Sequence, residues 1–395
     1  MRVKGNMRKK HKEDALVLFF LTFFFLYGGL HYYFFAKASQ ALTLGLTARK
    51  SLIILLAFMG FAPLLVHSAS KCRLAATARR IYYLGYSWMG WIFLWFVCIF
   101  VTDLYLFLIY LAQQIFPEAV YWVPSPQSSF FASFLLSLAA SIYGYFEAGR
   151  IRTEKIVLRS SKIPKEIERL KIVQISDVHL GMIVREKRLF RILQEVKRAF
   201  PDILISTGDL VDGEVSNHSR VVEFFKALNP RYGKFAIIGN HEFYAGISKA
   251  VDFIQNAGFS ILRGQGLTVA GLINIAGVDD PAGKIFGHNH RASAKEALSN
   301  LPREKFTILL KHRPVLEKNS LGLFDLQISG HTHQGQLFPF RMVTRFFYPY
   351  AAGFFKILNH CHLYVSRGSG TWGPPIRFFA PPEVTLFELV PPEIP

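Results

Sequence analysis

Lys171-Ile-Val-Gln-Ile175 runs into Ser176-Asp177-Val-His179, an apolar, β-rich stretch that stops at two metal-competent side chains. The same juxtaposition recurs down the second half of the chain. Asp202-Ile-Leu-Ile-Ser206 leads to Gly208-Asp209-Leu-Val-Asp212, and Phe235-Ala-Ile-Ile238 leads to Gly239-Asn240-His241-Glu242. Phe306-Thr-Ile-Leu-Leu310 leads to Lys311-His312, and a last block, Gly330-His331-Thr-His333, follows. Polar residues at successive strand ends are how an α/β sheet builds a site along one edge. The blocks hold four carboxylates, one amide and five imidazoles. Hard oxygen and borderline nitrogen donors suit Mn, Fe(II), Zn or Ni, and three cysteines leave no thiolate-only zinc site.

Around these blocks the pattern alternates. Arg185 to Ala199 has helical apolar spacing at Leu189, Ile192, Leu193 and Val196. Val221 to Leu228, Ile247 to Ala257 and Ala292 to Ser299 are further helix candidates. Ile273 to Gly277, Leu326 to Ser329, Leu363 to Ser366 and Glu383 to Leu389 read as strands. Local pattern alone gives a mixed α/β domain over residues 170–395.

The first half is a different material. Residues 15–146 are dominated by Phe, Leu, Tyr and Trp and predict an α-helical membrane region of about four spans: Ala15 to Phe35, Ser51 to Ser68, Ile81 to Ala112 and Phe130 to Phe146. The first is a 21-residue run without an Asp, Glu, Lys or Arg, long enough to cross a hydrocarbon core as a helix. Residues 1–14 form a basic tail, and residues 147–169 read as a short charged linker. The net charge of +19 would suggest nucleic-acid binding in a soluble protein, but much of the excess lies beside apolar runs. Arg2, Lys4, Arg8, Lys9, Lys10 and Lys12 precede the first span; Lys71, Arg73, Arg79 and Arg80 follow the second; Arg150, Arg152, Lys155 and Arg159 follow the fourth. The positive-inside rule therefore places both termini and the α/β domain in the cytoplasm.

The ordered blocks resemble the calcineurin-like metallophosphoesterase superfamily over roughly residues 170 to 390. Within it they resemble the membrane-associated bacterial branch, with its phosphodiesterases and UDP-diacylglucosamine pyrophosphatases. Leu363-Tyr-Val-Ser-Arg367-Gly368 is similar to that branch's closing segment, and Gln334 stands where many relatives place glycine, a change expected to affect loop shape or substrate contact. The resemblance implies two packed mixed β-sheets flanked by helices and two divalent metal ions. It assigns Asp177, His179 and His333 with Asp209 to one metal, and Asn240, His312 and His331 with Asp209 to the other. It sets His241 at the leaving-group oxygen as general acid or oxyanion donor, oriented by Asp212.

Other residues carry weaker readings. Glu242 reads as a cap or a surface charge, and Asp279 and Asp280 as turn residues before Pro281. His288-x-His290 reads as part of a polar loop and not as a metal site, and His360-Cys361-His362 offers poor metal spacing. His218 reads as solvated. Arg367 could contact a phosphate or form a structural ion pair. Phe338 to Tyr350 is an aromatic and basic loop suited to lipid contact, to core packing or to docking on the membrane helices. The expected partners are membrane lipids and a phosphorylated amphiphile; nucleic acid is not expected, and no protein partner is inferable. The rivals are a soluble nucleotide or phosphoprotein phosphatase and a non-catalytic membrane sensor.

Overall fold

The computed structural model describes residues 2–71, 75–213, 218–287 and 293–392, without the side chains of 2–17, 19, 20, 67, 69–71, 75 and 218. Cys72, Arg73, His288, His290 and Pro395 lie outside the described residues, as do the side chains of the basic tail, of Lys71, of His67 and of His218. The chain divides into two compact units, Met1–Tyr143 and Gly144–Pro395.

Helices α1 (Arg2–Ala41), α2 (Leu46–Lys71), α3 (Ala75–Gln113) and α4 (Pro126–Gly149) carry the apolar runs. Leu46–Val66, Ala76–Gln113 and Pro126–Gly149 are long and apolar enough to cross a membrane. The remaining expected span, Ala15 to Phe35, lies within α1, part of whose side chains fall outside the described residues. These helices expose large apolar side chains, such as Phe25 at 80% and Ile54 at 70%, and bury Trp95 and Ile92 between them. That distribution suits a surrounding that is itself apolar. Asp103 of α3 is matched by Lys37 of α1 at 2.5 Å, which offsets the one carboxylate in that run.

The second unit is two packed sheets. One has the order β1 (Arg152–Arg159), β12 (Glu383–Val390), β2 (Leu170–Ile175), β3 (Ile203–Ser206), β4 (Lys234–Ala236), β5 (Ser260–Ile261). The other runs β10 (Gly353–Leu358), β11 (Cys361–Val365), β9 (Leu326–Ser329), β8 (Phe306–Leu310), β7 (Ile273–Gly277), β6 (Gln265–Val269). Strand alternation sorts the core. Ile172, Ile203 and Ile205 meet Ile308, Leu310 and Ile328 between the sheets. Val173, Ile175 and Leu204 turn to the other face, against α5 (Glu186–Arg198), α6 (His218–Lys226) and α8 (Ile247–Asn256). Leu309 packs with Leu298 of α9 (Ala294–Leu298) outside the second sheet. Each fully buried Ile or Leu here is worth about 1.5–3 kcal/mol of transfer free energy.

β2, β3 and β4 are mutually parallel, as are β7, β8, β9 and β11. Their carboxyl ends therefore deliver the motif blocks to one edge of the sandwich. Two expectations need correction. Part of the expected linker, 147–169, is edge strand β1, in register with β12 from Arg152↔Glu383 to Arg159↔Val390. Its Arg, Lys and Glu residues mask the alternation of Ile156 and Leu158. The expected aromatic loop contains helix α10 (Phe340–Phe347).

Candidate metal centre

Asp177 and His179 follow β2, Asp209 follows β3, and Asn240 and His241 open α7 (Asn240–Ala245) after β4. His312 follows β8, and His331 and His333 follow β9. Five of these residues take left-handed backbone angles: Asp177, His179, Asp209, His331 and His333, with φ between 48° and 72°. They are five of the eleven non-glycine residues with positive φ among those described. Such conformations cost about 1–3 kcal/mol each and persist where surroundings over-determine them. Gly330 shows the constraint: a Cβ there would sit 2.2 Å from Asp177 Oδ2, so only glycine lets β9 bring His331 N within 3.0 Å of the Asp177 carboxylate.

The side chains converge in two overlapping groups. Asp177, His179 and His333 form the first, with His179 Nε2 and His333 Nε2 3.0 Å apart and His333 Nε2 3.5 Å from Asp177 Oδ1. Asp209, His312 and His331 form the second. Around His312 Nε2 stand Asp209 Oδ2 at 3.1 Å, Asn240 Oδ1 at 3.1 Å and His331 Nδ1 at 3.2 Å. Asp209 Oδ2 also lies 3.9 Å from His179 Nε2, so it faces both groups.

The donor chemistry fits divalent metal. Burial pushes the imidazoles of His179 to about 4 and His331 to about 2, and His333 well below its usual value, so these rings are neutral with lone pairs to give. Burial alone would also lower His312, but the Asp209 carboxylate reverses this and raises it to about 10. A proton on His312 Nε2 then sits among two acceptor oxygens and a neutral ring nitrogen, the surroundings of a cation. Burial raises Asp177 to about 6, whereas Asp209 is held well below the usual carboxylate range by His312 and His241 against the penalty of burial. The other nitrogen of His179, Nδ1, is buried without a hydrogen bond among the described residues and lies 3.8 Å from Asp212 Oδ2. The residues that could hold a divalent ion gather as Asp177, His179 and His333 in one group and Asp209, His312 and His331 in the other, with Asn240 Oδ1 beside the second.

His241 stands beside them. Its Nδ1 lies 2.9 Å from Asp212 Oδ1, and its ring meets that of His179 at 4.6 Å. Burial would lower His241; the carboxylates of Asp209 and Asp212 override it and bring the imidazole to about 9. Asp212, His179 and His241 also lie close enough to make a third ligand cluster.

Two residues that hold the site are not evident from spacing. Glu242 is fully buried, not on the surface, and caps the loops: its oxygens accept from Asp209 N at 3.0 Å, Val211 N at 3.0 Å and Gly239 N at 2.8 Å. Burial and the neighbouring Asp209 raise its carboxyl to about 7. Glu242→Ala would orphan three buried N–H groups, and we expect it to lower the unfolding free energy by roughly 3 kcal/mol or more. Glu242→Gln keeps one acceptor oxygen and should lose less; equal losses in chemical denaturation would contradict the bracing role. Arg377, also fully buried, donates to the carbonyls of Gly370, Ala380 and Arg367 at 2.9 Å each, and its Nη2 lies 3.0 Å from His333 Nδ1.

Other expectations resolve plainly. The Arg367 guanidinium is occupied by Glu154, Glu383 and the Pro381 carbonyl, the ion-pair reading rather than an open substrate contact. Asp280 caps the turn at Ala282 N and pairs with Arg313, and Asp279 pairs with Arg263. His362 Nδ1 rests on the Asp325 carbonyl. Gln334 takes a left-handed φ of 55°, a conformation glycine adopts more readily, so this residue shapes the loop under strain.

The calcineurin-like phosphoesterase family matches residues 170–335. A protein named an uncharacterized metallophosphoesterase from Aquifex aeolicus is 38% identical over 252 residues, 64% of this chain and 96% of its own length. One of the same description from Campylobacter jejuni is 34% identical, over 60% of this chain and 64% of its own. A transmembrane protein with metallophosphoesterase domain from Danio rerio is 29% identical, over 64% of this chain and 60% of its own. With a near-complete match to the first of these relatives and its own Asp/His/Asn cluster at the strand ends, the chain belongs to the calcineurin-like metallophosphoesterase family.

Proposed function

We propose that this protein is a membrane-anchored, dinuclear-metal phosphoesterase that cleaves a phosphodiester or pyrophosphate bond in a lipid-linked or amphiphilic substrate. The observation that carries the reading is the pair of adjacent clusters at the carboxyl ends of parallel strands, with Asp209 Oδ2 3.1 Å from His312 Nε2 in one and 3.9 Å from His179 Nε2 in the other. Two divalent ions held there would supply an activated water and screen the charge of a phosphoryl group. The chain's own residues do the rest. Asp212 fixes His241 through Nδ1, which leaves Nε2 to give a proton to the departing oxygen. Glu242 and Arg377 hold the ligand loops in their strained angles. Arg150, Arg152, Lys155 and Arg159, just after α4, support a cytoplasmic domain at a bacterial inner membrane.

His241→Ala should leave metal content unchanged and lower kcat by about 10²–10⁴-fold on an alkoxide leaving group. The loss should be smaller on a nitrophenolate, which needs little protonation. Loss of metal, or the same penalty on both substrates, would make His241 a ligand or a phosphate-positioning group. Reporters fused after residue 395 and near Arg73 should both score cytoplasmic; a periplasmic signal at the C-terminus would reverse the orientation.

The substrate reading is tested with a panel on purified, metal-loaded full-length protein: nucleotide-sugar lipids, phospholipids, bis-p-nitrophenyl phosphate, free nucleotides and single-stranded DNA. The highest kcat/KM is expected on a lipid-linked compound. A panel led by free nucleotides would contradict the amphiphile assignment. No turnover of any compound would contradict catalysis and leave a metal-binding sensor.

A further inference from the structure

Helix α10 is inverted with respect to a water-soluble protein. At 100° per residue, Phe340, Met342, Val343, Phe346 and Phe347 fill one arc of the helix, while Arg341, Thr344 and Arg345 share the other. A surface helix normally turns its apolar arc to the core. Here no residue of the helix is buried, and the apolar arc faces outward: Met342 is 68% exposed, Phe346 83% and Phe347 69%. Thr344 and Arg341 are the partly covered positions, and the Arg341 backbone packs on Gly335, where a Cβ would come within 2.5 Å. The polar side thus meets the protein and the apolar side meets the outside.

The helix is also fastened to the metal centre. It leaves the strained His333–Gln336 turn and returns at Tyr348, whose hydroxyl lies 3.1 Å from His331 Nε2. Gln336 ties this loop to the next, with its amide donating to Trp372 O at 2.8 Å and accepting from Trp372 N at 3.0 Å. Trp372 is 55% exposed, and its ring lies 5.8 Å from that of His241. Phe338 and Phe379, both exposed and 6.1 Å apart, continue the same rim. An apolar border therefore runs from the proposed general acid to α10.

We propose that α10 is an interfacial helix that lies in the surface of the bilayer and seats the mouth of the metal centre on the lipids. A bilayer is the occupant that the chemistry selects. Acyl chains suit an arc of three phenylalanines, a methionine and a valine, and Arg345, beside Met342 on the wheel, meets the phosphate layer. The tether agrees: only Arg150 and Ile151 separate α4 from β1, so a domain whose preceding helix spans the membrane stays within reach of its surface. This inference rests on the membrane-anchored reading but not on the reaction. It gives an amphiphilic substrate a route in which the acyl chains stay in the lipid while the phosphate reaches His241 and the ligands.

The test uses full-length protein in nanodiscs of phosphatidylethanolamine and phosphatidylglycerol, with or without brominated acyl chains. Phe346→Trp is compared with the parent protein, and Phe107→Trp, on the exposed face of α3, reports insertion. Bromolipids are expected to quench the emission added by Phe346→Trp by at least about half, with little quenching by aqueous iodide. Quenching by iodide in place of bromolipid would show a helix in water and overturn the proposal. Resistance to both would show a helix covered by protein and overturn it too. If bromolipid quenches the indole placed in α3 and not the one placed in α10, anchoring stands and the interfacial helix falls; if it quenches neither, the anchored reading itself fails.

Discussion

Asp209→Asn is expected to lower kcat/KM by about 10³-fold or more and to reduce bound metal. The substitution keeps the size and the acceptor that receives His241 N at 2.9 Å, so the loop has little steric reason to move. What it removes is the charge that faces both ligand groups, 3.1 Å from His312 Nε2 and 3.9 Å from His179 Nε2. In the proposed two-ion centre, a neutral amide there would leave both cations without their shared carboxylate. His362→Ala, whose imidazole rests on a carbonyl of β9's lead-in, should change activity within about twofold. Equal losses for the two variants would mean that Asp209 is not the bridge.

Arg377→Ala should be the most destabilising single change in the domain, by about 3–5 kcal/mol. The guanidinium is fully buried, and its hydrogen bonds reach carbonyls that lie between residues 367 and 380. Burial and the neighbouring Arg188 hold its pKa down to about 9, so the charge is already costly, and removing it leaves several carbonyls without their donor in a buried site. The same donor lies 3.0 Å from His333 Nδ1, so the variant should also loosen the ligand ring. Arg377→Lys restores a cation but not the planar fork, and should recover only part of the loss. Denaturant unfolding within about 1 kcal/mol of the parent for Arg377→Ala would show that the network is not structural.

The contrast between these two residues explains what the sequence makes legible. Asp209 stands at the end of an apolar run, in a block with further ligand-type residues, and strand ends on a parallel sheet face one edge. The same logic places Asp177, Asn240, His312, His331 and His333 together from the order of the blocks alone. Arg377 carries no such signal, because its partners are backbone carbonyls of a loop rich in glycine and proline, which have no side-chain signature. A buried cation among carbonyls is visible only once the loop is folded. Glu242 is legible as a cap but not as a buried one, since a lone Glu after a helix start reads the same wherever the helix lies. β1 is hidden for another reason. Arg152, Glu154, Lys155 and Arg159 make the strand look like a linker, although its parallel pairing with β12 needs only backbone and the alternate Ile156 and Leu158. In α10, Phe338 and Pro339 suggest a loop, and the outward apolar arc removes the usual sign of a helix packed on a core.

The central claim is that one chain holds two metal ions through a shared Asp209. It is tested most directly by elemental analysis of purified full-length protein, saturated with Mn, Fe or Zn and freed of excess metal, beside Asp209→Asn. Two divalent ions per folded chain are predicted, falling to one or fewer in the variant. A folded parent protein that retains at most one ion under saturating supply, or a variant that still retains two, would contradict the dinuclear centre.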